Sequence, residues 1–237
     1  MVKIEIAGVS VQMDNRFAEL EYLCHGYETE KQPEMILSVS REELDRERQS
    51  QTYEFSDGYL ESVCMYRKMA LAMLQHHVFI MHASVVDVDG EGYAFLAHSG
   101  TGKTTQTRLW LEYFGSRARV INGDKPLIRV VPDGDGWKFV AYGTPWCGKE
   151  GMGCNASVPL KALFLLERST VPCCEPADQE YSIDRLFHQL LMPEDPGRMM
   201  QLLDMVDRLV ETIPCYRLQC DMTQHSVSAA YEAAKKQ

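Results

Sequence analysis

No Cys-x-x-Cys pair occurs in this chain, although eight cysteines are available to make one. Cys24, Cys64, Cys147, Cys154, Cys173, Cys174, Cys215 and Cys220 therefore spell neither a zinc ribbon nor a thioredoxin-type site. The vicinal Cys173-Cys174 could take a soft metal, but reduced free thiols are the expectation. No apolar run approaches the roughly 20 residues of a membrane-spanning helix. The opening Met-Val-Lys-Ile-Glu-Ile-Ala alternates like a strand and lacks a signal-peptide core, so a cytoplasmic protein with no membrane partner is expected. Basic charge is scarce: 24 Lys and Arg stand against 34 Asp and Glu, a net charge of −10. That balance argues against nucleic acid held on a broad basic face and permits a small anion in one local site. Internal repeats and low-complexity segments are absent. With 45% hydrophobic residues in 237, the chain suits one large or two small globular domains with a substantial core.

The informative stretch is Tyr93 to Trp110, YAFLAHSGTGKTTQTRLW. An apolar run, Tyr93 to Ala97, reads as a buried strand. It turns through Ser99, Gly100, Thr101 and Gly102 and enters Lys103, Thr104 and Thr105 at the head of an amphipathic helix. Strand, glycine turn, Lys-Thr and helix make a P-loop, in which backbone N–H groups and the positive helix end converge on phosphate. Lys103 is expected to reach the β- and γ-phosphates of ATP or another polyphosphate, and the Thr104 hydroxyl to help hold Mg²⁺. Ala97 stands where the general pattern has its first glycine. Asp124, just past the buried strand Arg119-Val120-Ile121-Asn122, is the expected Mg²⁺-associated carboxylate.

Around this centre, Lys3 to Val11 and Glu34 to Val39 read as strands. Ser40 with Glu43 forms a capping box for the charged stretch Arg41 to Gln51, and Tyr59 to His76 repeats apolar residues at helical spacing. Val78 to Val86 reads as one apolar strand interrupted by His82, and Asp89 to Gly92 turns it into the Tyr93 strand as a hairpin. Pro126 to Val131 and Trp137 to Tyr142 form a second hairpin, and Leu160 to Glu167 another core strand. The tail reads as helices Ile183–Leu191 and Pro196–Val210, a strand Cys215–Leu218 and a helix from Ser226 to Lys235. Residues 1–75 are taken as an N-terminal α+β section packed on a domain of residues 76–237. His82 is either a satisfied core histidine or a functional one. Lys149, in the glycine-rich loop Gly143 to Lys149, is either an idle surface lysine or a charge facing the transferring phosphoryl group. Trp146 reads as a buried loop anchor or as a wall for the acceptor, Arg108 and Trp110 as packing or surface residues rather than base contacts, and His98 has no assigned role.

The succession Met81-His82-Ala83-Ser84, Ser99 to Thr104 and Asn122-Gly123-Asp124-Lys125-Pro126 resembles the HPr kinase and phosphoenolpyruvate carboxykinase superfamily. In particular it resembles the short stand-alone HPr-kinase-like proteins that carry a Gly-Thr-Pro-Trp-x-Gly-Lys loop, here Gly143 to Lys149. The likeness covers Phe79 to Arg168, and before that only Tyr59 to Lys68 matches, loosely. It implies an α/β fold with a mixed, largely antiparallel central sheet, a P-loop and flanking helices. It further implies Mg²⁺-dependent transfer of the γ-phosphoryl of ATP to a hydroxyl of a protein, peptide or metabolite. The donor (ATP, GTP or pyrophosphate) is left open, as is a homo-oligomer. By the resemblance Lys103 binds phosphate, Thr104 and Asp124 hold the metal, and His82 is the active-site histidine. Gly123 replaces the first Asp of the family's pair, its general base, and no Pro-Gly-Arg-Asn loop follows Glu167. Those departures motivate the alternative of a catalytically degraded nucleotide-binding accessory or regulatory protein.

Overall fold

The computed structural model describes residues 1–236. In chain order its elements are β1 (Val2–Ile6), β2 (Val9–Asp14), α1 (Glu19–Leu23), β3 (Met35–Ser38), α2 (Arg41–Ser50), α3 (Asp57–Ala72), β4 (Val78–Ile80), β5 (Ala83–Val88), β6 (Glu91–Leu96), α4 (Lys103–Phe114), β7 (Ala118–Asn122), β8 (Leu127–Asp133), β9 (Gly136–Tyr142), β10 (Ser157–Arg168), β11 (Cys173–Pro176), α5 (Gln179–Phe187), α6 (Pro196–Thr212), β12 (Cys215–Cys220) and α7 (Gln224–Lys235). The architecture is α/β, with a mixed, largely antiparallel sheet that curls and is flanked by helices.

The large sheet runs β4-β8-β9-β10-β6-β5-β7, with β12 beside β10 and β11 beside β12. Within this sheet, among the described residues, only β10 makes parallel pairs, with β6 and β12. Its two faces are covered by different helices. Tyr93 and Phe95 of β6, with Ala97 just beyond it, pack with Leu109, Trp110 and Phe114 of α4 and with Val227 and Ala230 of α7. Ala94 and Leu96 point the other way, into the cluster of Leu186 from α5 and Leu202, Met205 and Leu209 from α6. Burial on both faces is why β6 and β10 read as continuous apolar runs. Where β7 ends, the Gly123 N–H donates to the Met152 carbonyl (2.8 Å) and the Cys154 N–H to the Ile121 carbonyl (3.2 Å). The loop entering β10 is thereby bound to the far side of the sheet.

Two strand assignments are corrected. Lys3 to Val11 is a hairpin, because Ala7 (φ 49°) and Gly8 (φ 73°) turn the chain between β1 and β2. Positive φ at both central residues is the type I′ geometry of a tight hairpin, normally supplied by Asn-Gly rather than Ala-Gly. The Ala7 carbonyl accepts a hydrogen bond from Arg129 of β8 (2.7 Å), a remote partner that helps hold the turn. Val78 to Val86 is likewise two strands. β4 pairs with β8, β5 pairs with β6 and β7, and the chain changes neighbours at Met81-His82. The first tail helix is Gln179–Phe187, earlier than expected, because Asp178 caps it through the Tyr181 N–H.

The front section forms a separate three-stranded sheet, β1-β2-β3, against α1 and α3. Its core runs without a break into Val78, Leu127 and Trp146 of the large sheet's loops and strands. Tyr66 of α3 donates to the Lys125 carbonyl (2.8 Å) and packs on Trp146 with ring centroids 4.5 Å apart. α3 thus braces the loops on which Asp124 and Lys149 sit.

Candidate functional site

At the C-terminal end of β6 the chain leaves the sheet through Ala97 and His98 and turns at Ser99–Gly102 into α4. Gly102 has φ 135°, a conformation glycine adopts and other residues resist, and it stands at the helix N-cap with no side-chain hydrogen bond. By contrast Ser40, Ser56, Asp178, Asp195 and Thr223 each cap their helix with a side-chain oxygen. Nothing stands within 4 Å of where a Cβ on Gly100 or Gly102 would lie. The first amides of α4 thus have no side-chain cap, and they lie at the positive end of the helix dipole beside open space.

Lys103 is 9% exposed and its ammonium donates to the Ala97 carbonyl at 2.7 Å. Among the described residues no carboxylate lies within ion-pair distance of it, so a buried cation has only a carbonyl for a partner. Burial pulls its pKa below the ordinary 10.5, opposed by the charge of Asp124. An ammonium in this state is poised for an anion.

Asp124 is presented by the buried Asn122. The Asn122 Oδ1 accepts from the N–H groups of Asp124 (2.8 Å) and Lys125 (2.7 Å), while its Nδ2 donates to the Thr144 hydroxyl (2.9 Å). Asp124 Oδ1 lies 3.0 Å from His82 Nε2, and Oδ2 lies 3.8 Å from Lys125 Nζ. Burial pushes the Asp124 carboxyl up; the His82 hydrogen bond and the charges of Lys125, His82 and Lys103 outweigh it and hold the group below the ordinary 3.8.

One cleft of about 460 Å³ collects the predicted set: His82, Ser99, Gly100, Gly102, Lys103, Thr104, Thr105, Asp124 and Lys149 all line it. Thr101 does not. Its N–H donates to the His98 carbonyl, and the residue lines cavities on the other side of the turn. Trp146 is buried and Arg108 pairs with Glu150 at the surface, as expected of an anchor and a surface residue. Trp110 is fully buried among Tyr93, Phe95 and Phe114.

No family model matches the chain, and no curated protein matches it either. The chemistry has to be argued from the cleft itself. Gly123 lines it without a side chain, and a Cβ there would stand 3.0 Å from the Met152 carbonyl oxygen and 3.1 Å from that of Cys147. A side chain at position 123 would require the backbone of the Cys147–Met152 loop to shift. Among the described residues no group of three or more His, Cys, Asp or Glu is arranged to hold a metal ion. The side-chain oxygens lining the cleft are the hydroxyls of Ser99, Thr104 and Thr105 and the carboxylates of Asp124 and Glu150, the last paired with Arg108; so sparse a set suits a hard cation that draws its remaining ligands from water and substrate phosphate.

Two residues with no signal in the sequence shape the site. Arg168, the last residue of β10, donates to the carbonyls of Gly100 and, at 3.2 Å, Thr101. It ties down the outer, carbonyl side of the turn whose amides face the cleft. Gln189, beyond α5, is 5% exposed, and its main-chain carbonyl accepts the His82 N–H at 2.7 Å. Both are brought to the turn by pairings between segments far apart in the chain, which no local motif encodes.

Proposed function

We propose that the cleft binds the oligophosphate of a nucleoside triphosphate with Mg²⁺ and transfers its γ-phosphoryl to a hydroxyl acceptor. In this reading Ser99–Thr105 is a P-loop and the chain is HPr-kinase-like. The observation that carries it is the buried Lys103 ammonium, lacking a carboxylate partner, beside the uncapped start of α4. Lys103 and the amides of residues 100 and 102–105 would cradle the phosphates, and Thr104 and Asp124 would hold the metal. Mg²⁺, when bound, neutralises charge accumulating on the phosphoryl oxygens.

His82 takes the place of the missing carboxylate base. With Nε2 donating to Asp124, its lone pair is on Nδ1, and the acceptor O–H passes its proton there. The acceptor O–P bond forms as the bond between the β–γ bridging oxygen and the γ-phosphorus breaks, and the nucleoside diphosphate leaves. Asp124 orients the imidazole and stabilises its cation. Lys149, in the wall of the same cleft, supplies further positive charge towards the transferring group.

The alternative, a nucleotide-binding protein that has lost transfer, is motivated by Gly123. Titration calorimetry with Mg²⁺ and ATP, GTP or pyrophosphate, followed by a transfer screen over protein, peptide and small hydroxyl acceptors, separates the readings. Binding with turnover is expected. Binding without turnover on any acceptor favours the accessory role, and no heat at millimolar ligand removes both.

A further inference from the structure

The segment between α5 and α6 sends the Gln189 side chain to the base of the turn, where its hydrogen bonds reach both Ala97 and His82. With its amide nitrogen facing them, the Gln189 side chain donates to the carbonyls of Ala97 (3.1 Å) and His82 (3.2 Å). Its own main-chain carbonyl takes the His82 N–H, so both peptide groups of His82 are held by one residue. A bridge between Met81 and Leu190 extends the same contact. His82 lies at the point where the chain changes sheet neighbours between β4 and β5, where ladder pairing with an adjacent strand does not fix it.

The Ala97 carbonyl has two donors, the Gln189 amide and the Lys103 ammonium. An oligophosphate in the cleft would draw Lys103 away, and a buried carbonyl left without a donor is penalised. The second donor removes that penalty. We propose that Gln189 is a positioning residue of this site: it keeps the Ala97 carbonyl paired when Lys103 turns to phosphate, and it fixes His82 against Asp124. The inference rests on the phosphate-binding reading above and adds the device that lets Lys103 move without disordering the turn.

The test compares the full chain with Gln189→Leu, which removes the amide at similar bulk, and Gln189→Glu, which keeps the shape but has no side-chain N–H at neutral pH. Binding of Mg²⁺ with ATP, and of Mg²⁺ with tripolyphosphate, is measured by calorimetry. The His82 Nε2–H proton, hydrogen-bonded to Asp124, is followed by NMR in the ligand-free protein, with folding checked by circular dichroism. Both variants are expected to weaken oligophosphate binding about tenfold and to lose the His82 resonance to exchange with water. A purely structural glutamine would lower thermal stability and leave both readouts in place. Folded variants that bind as tightly as the parent and keep the resonance overturn the proposal and leave the functional reading standing. A parent that binds neither oligophosphate overturns the functional reading and the Lys103 release step with it, and the resonance alone then decides the His82 half. Should Gln189→Leu fail to fold, Gln189→Glu carries the same comparison.

Discussion

Helix α2 begins at Ser40 and α4 at Gly102, and the two starts treat the same unsatisfied amides in opposite ways. At α2 the Ser40 side chain accepts from the Glu43 N–H (3.2 Å), and Glu43 reaches back to the Ser40 N–H (2.7 Å). Lys68 of α3 then pairs with Glu43 at 2.8 Å, so charge and hydrogen-bonding capacity are consumed within the protein. At α4 no side chain caps the helix, and the nearest cation, Lys103, is buried against a carbonyl. A folded chain normally satisfies such groups internally. Where it leaves several unsatisfied in one place, a ligand is the economical explanation, and the same physics that stabilises α2 points to function at α4.

The comparison is broken most sharply at Lys103. Lys103→Met is expected to lower Mg²⁺-nucleotide affinity by more than about 100-fold, since charge-assisted bonds to phosphate are lost. The ligand-free protein should keep or gain thermal stability, because a poorly partnered buried charge is removed. Calorimetry and a thermal melt check the two halves, and a large fall in melting temperature with binding retained would make Lys103 structural.

Ser40→Ala is the counterpart on α2. It should cost about 1 kcal/mol, within the range for loss of an N-cap, and leave nucleotide binding unchanged. Urea denaturation beside the same calorimetric titration measures both.

A smaller effect is expected at Asp124. Its carboxyl is held below 3.8 in the folded protein, so the stabilisation it contributes is present above the unfolded value and disappears as pH falls through the lower folded value. Denaturation midpoints at pH 7 and pH 3 should therefore converge more in Asp124→Asn than in the parent. An identical acid limb in the two proteins would show that the His82–Asp124 pair has no energetic weight.

The smallest change is Arg108→Ala. The Arg108–Glu150 pair is 58% and 47% exposed, and exposed pairs contribute roughly 0–1 kcal/mol. Stability should hardly move. A marked loss of nucleotide affinity instead would show that the pair holds the Cys147–Met152 loop over the cleft.

Local chemistry was legible wherever it was self-contained. The Ser40–Glu43 box needs four residues, the apolar spacing of α3 needs four turns, and Ser-Gly-Thr-Gly-Lys-Thr after a buried strand needs only its neighbours. Each of these formed close to where the residues placed it. Val78 to Val86 misled because both halves are apolar; the break at Met81-His82 is set by acceptors at Pro126 and Gln189. Strand β11 escaped because Cys173–Pro176 has no alternation of its own and exists by pairing with β12. Thr101 stands apart from its neighbours in the turn only because its N–H is taken by the His98 carbonyl.

Turn chemistry, helix caps and the periodicity of burial are decided by residues within a few positions of one another, and the linear order of amino acids was enough for those. Which carbonyl Lys103 rests on, what fills the room beside Gly123, and that Arg168 and Gln189 hold the turn and His82 were decided only when distant segments closed on one another. Hydrogen bonds and excluded volume act through space, and their partners here are set by sheet order.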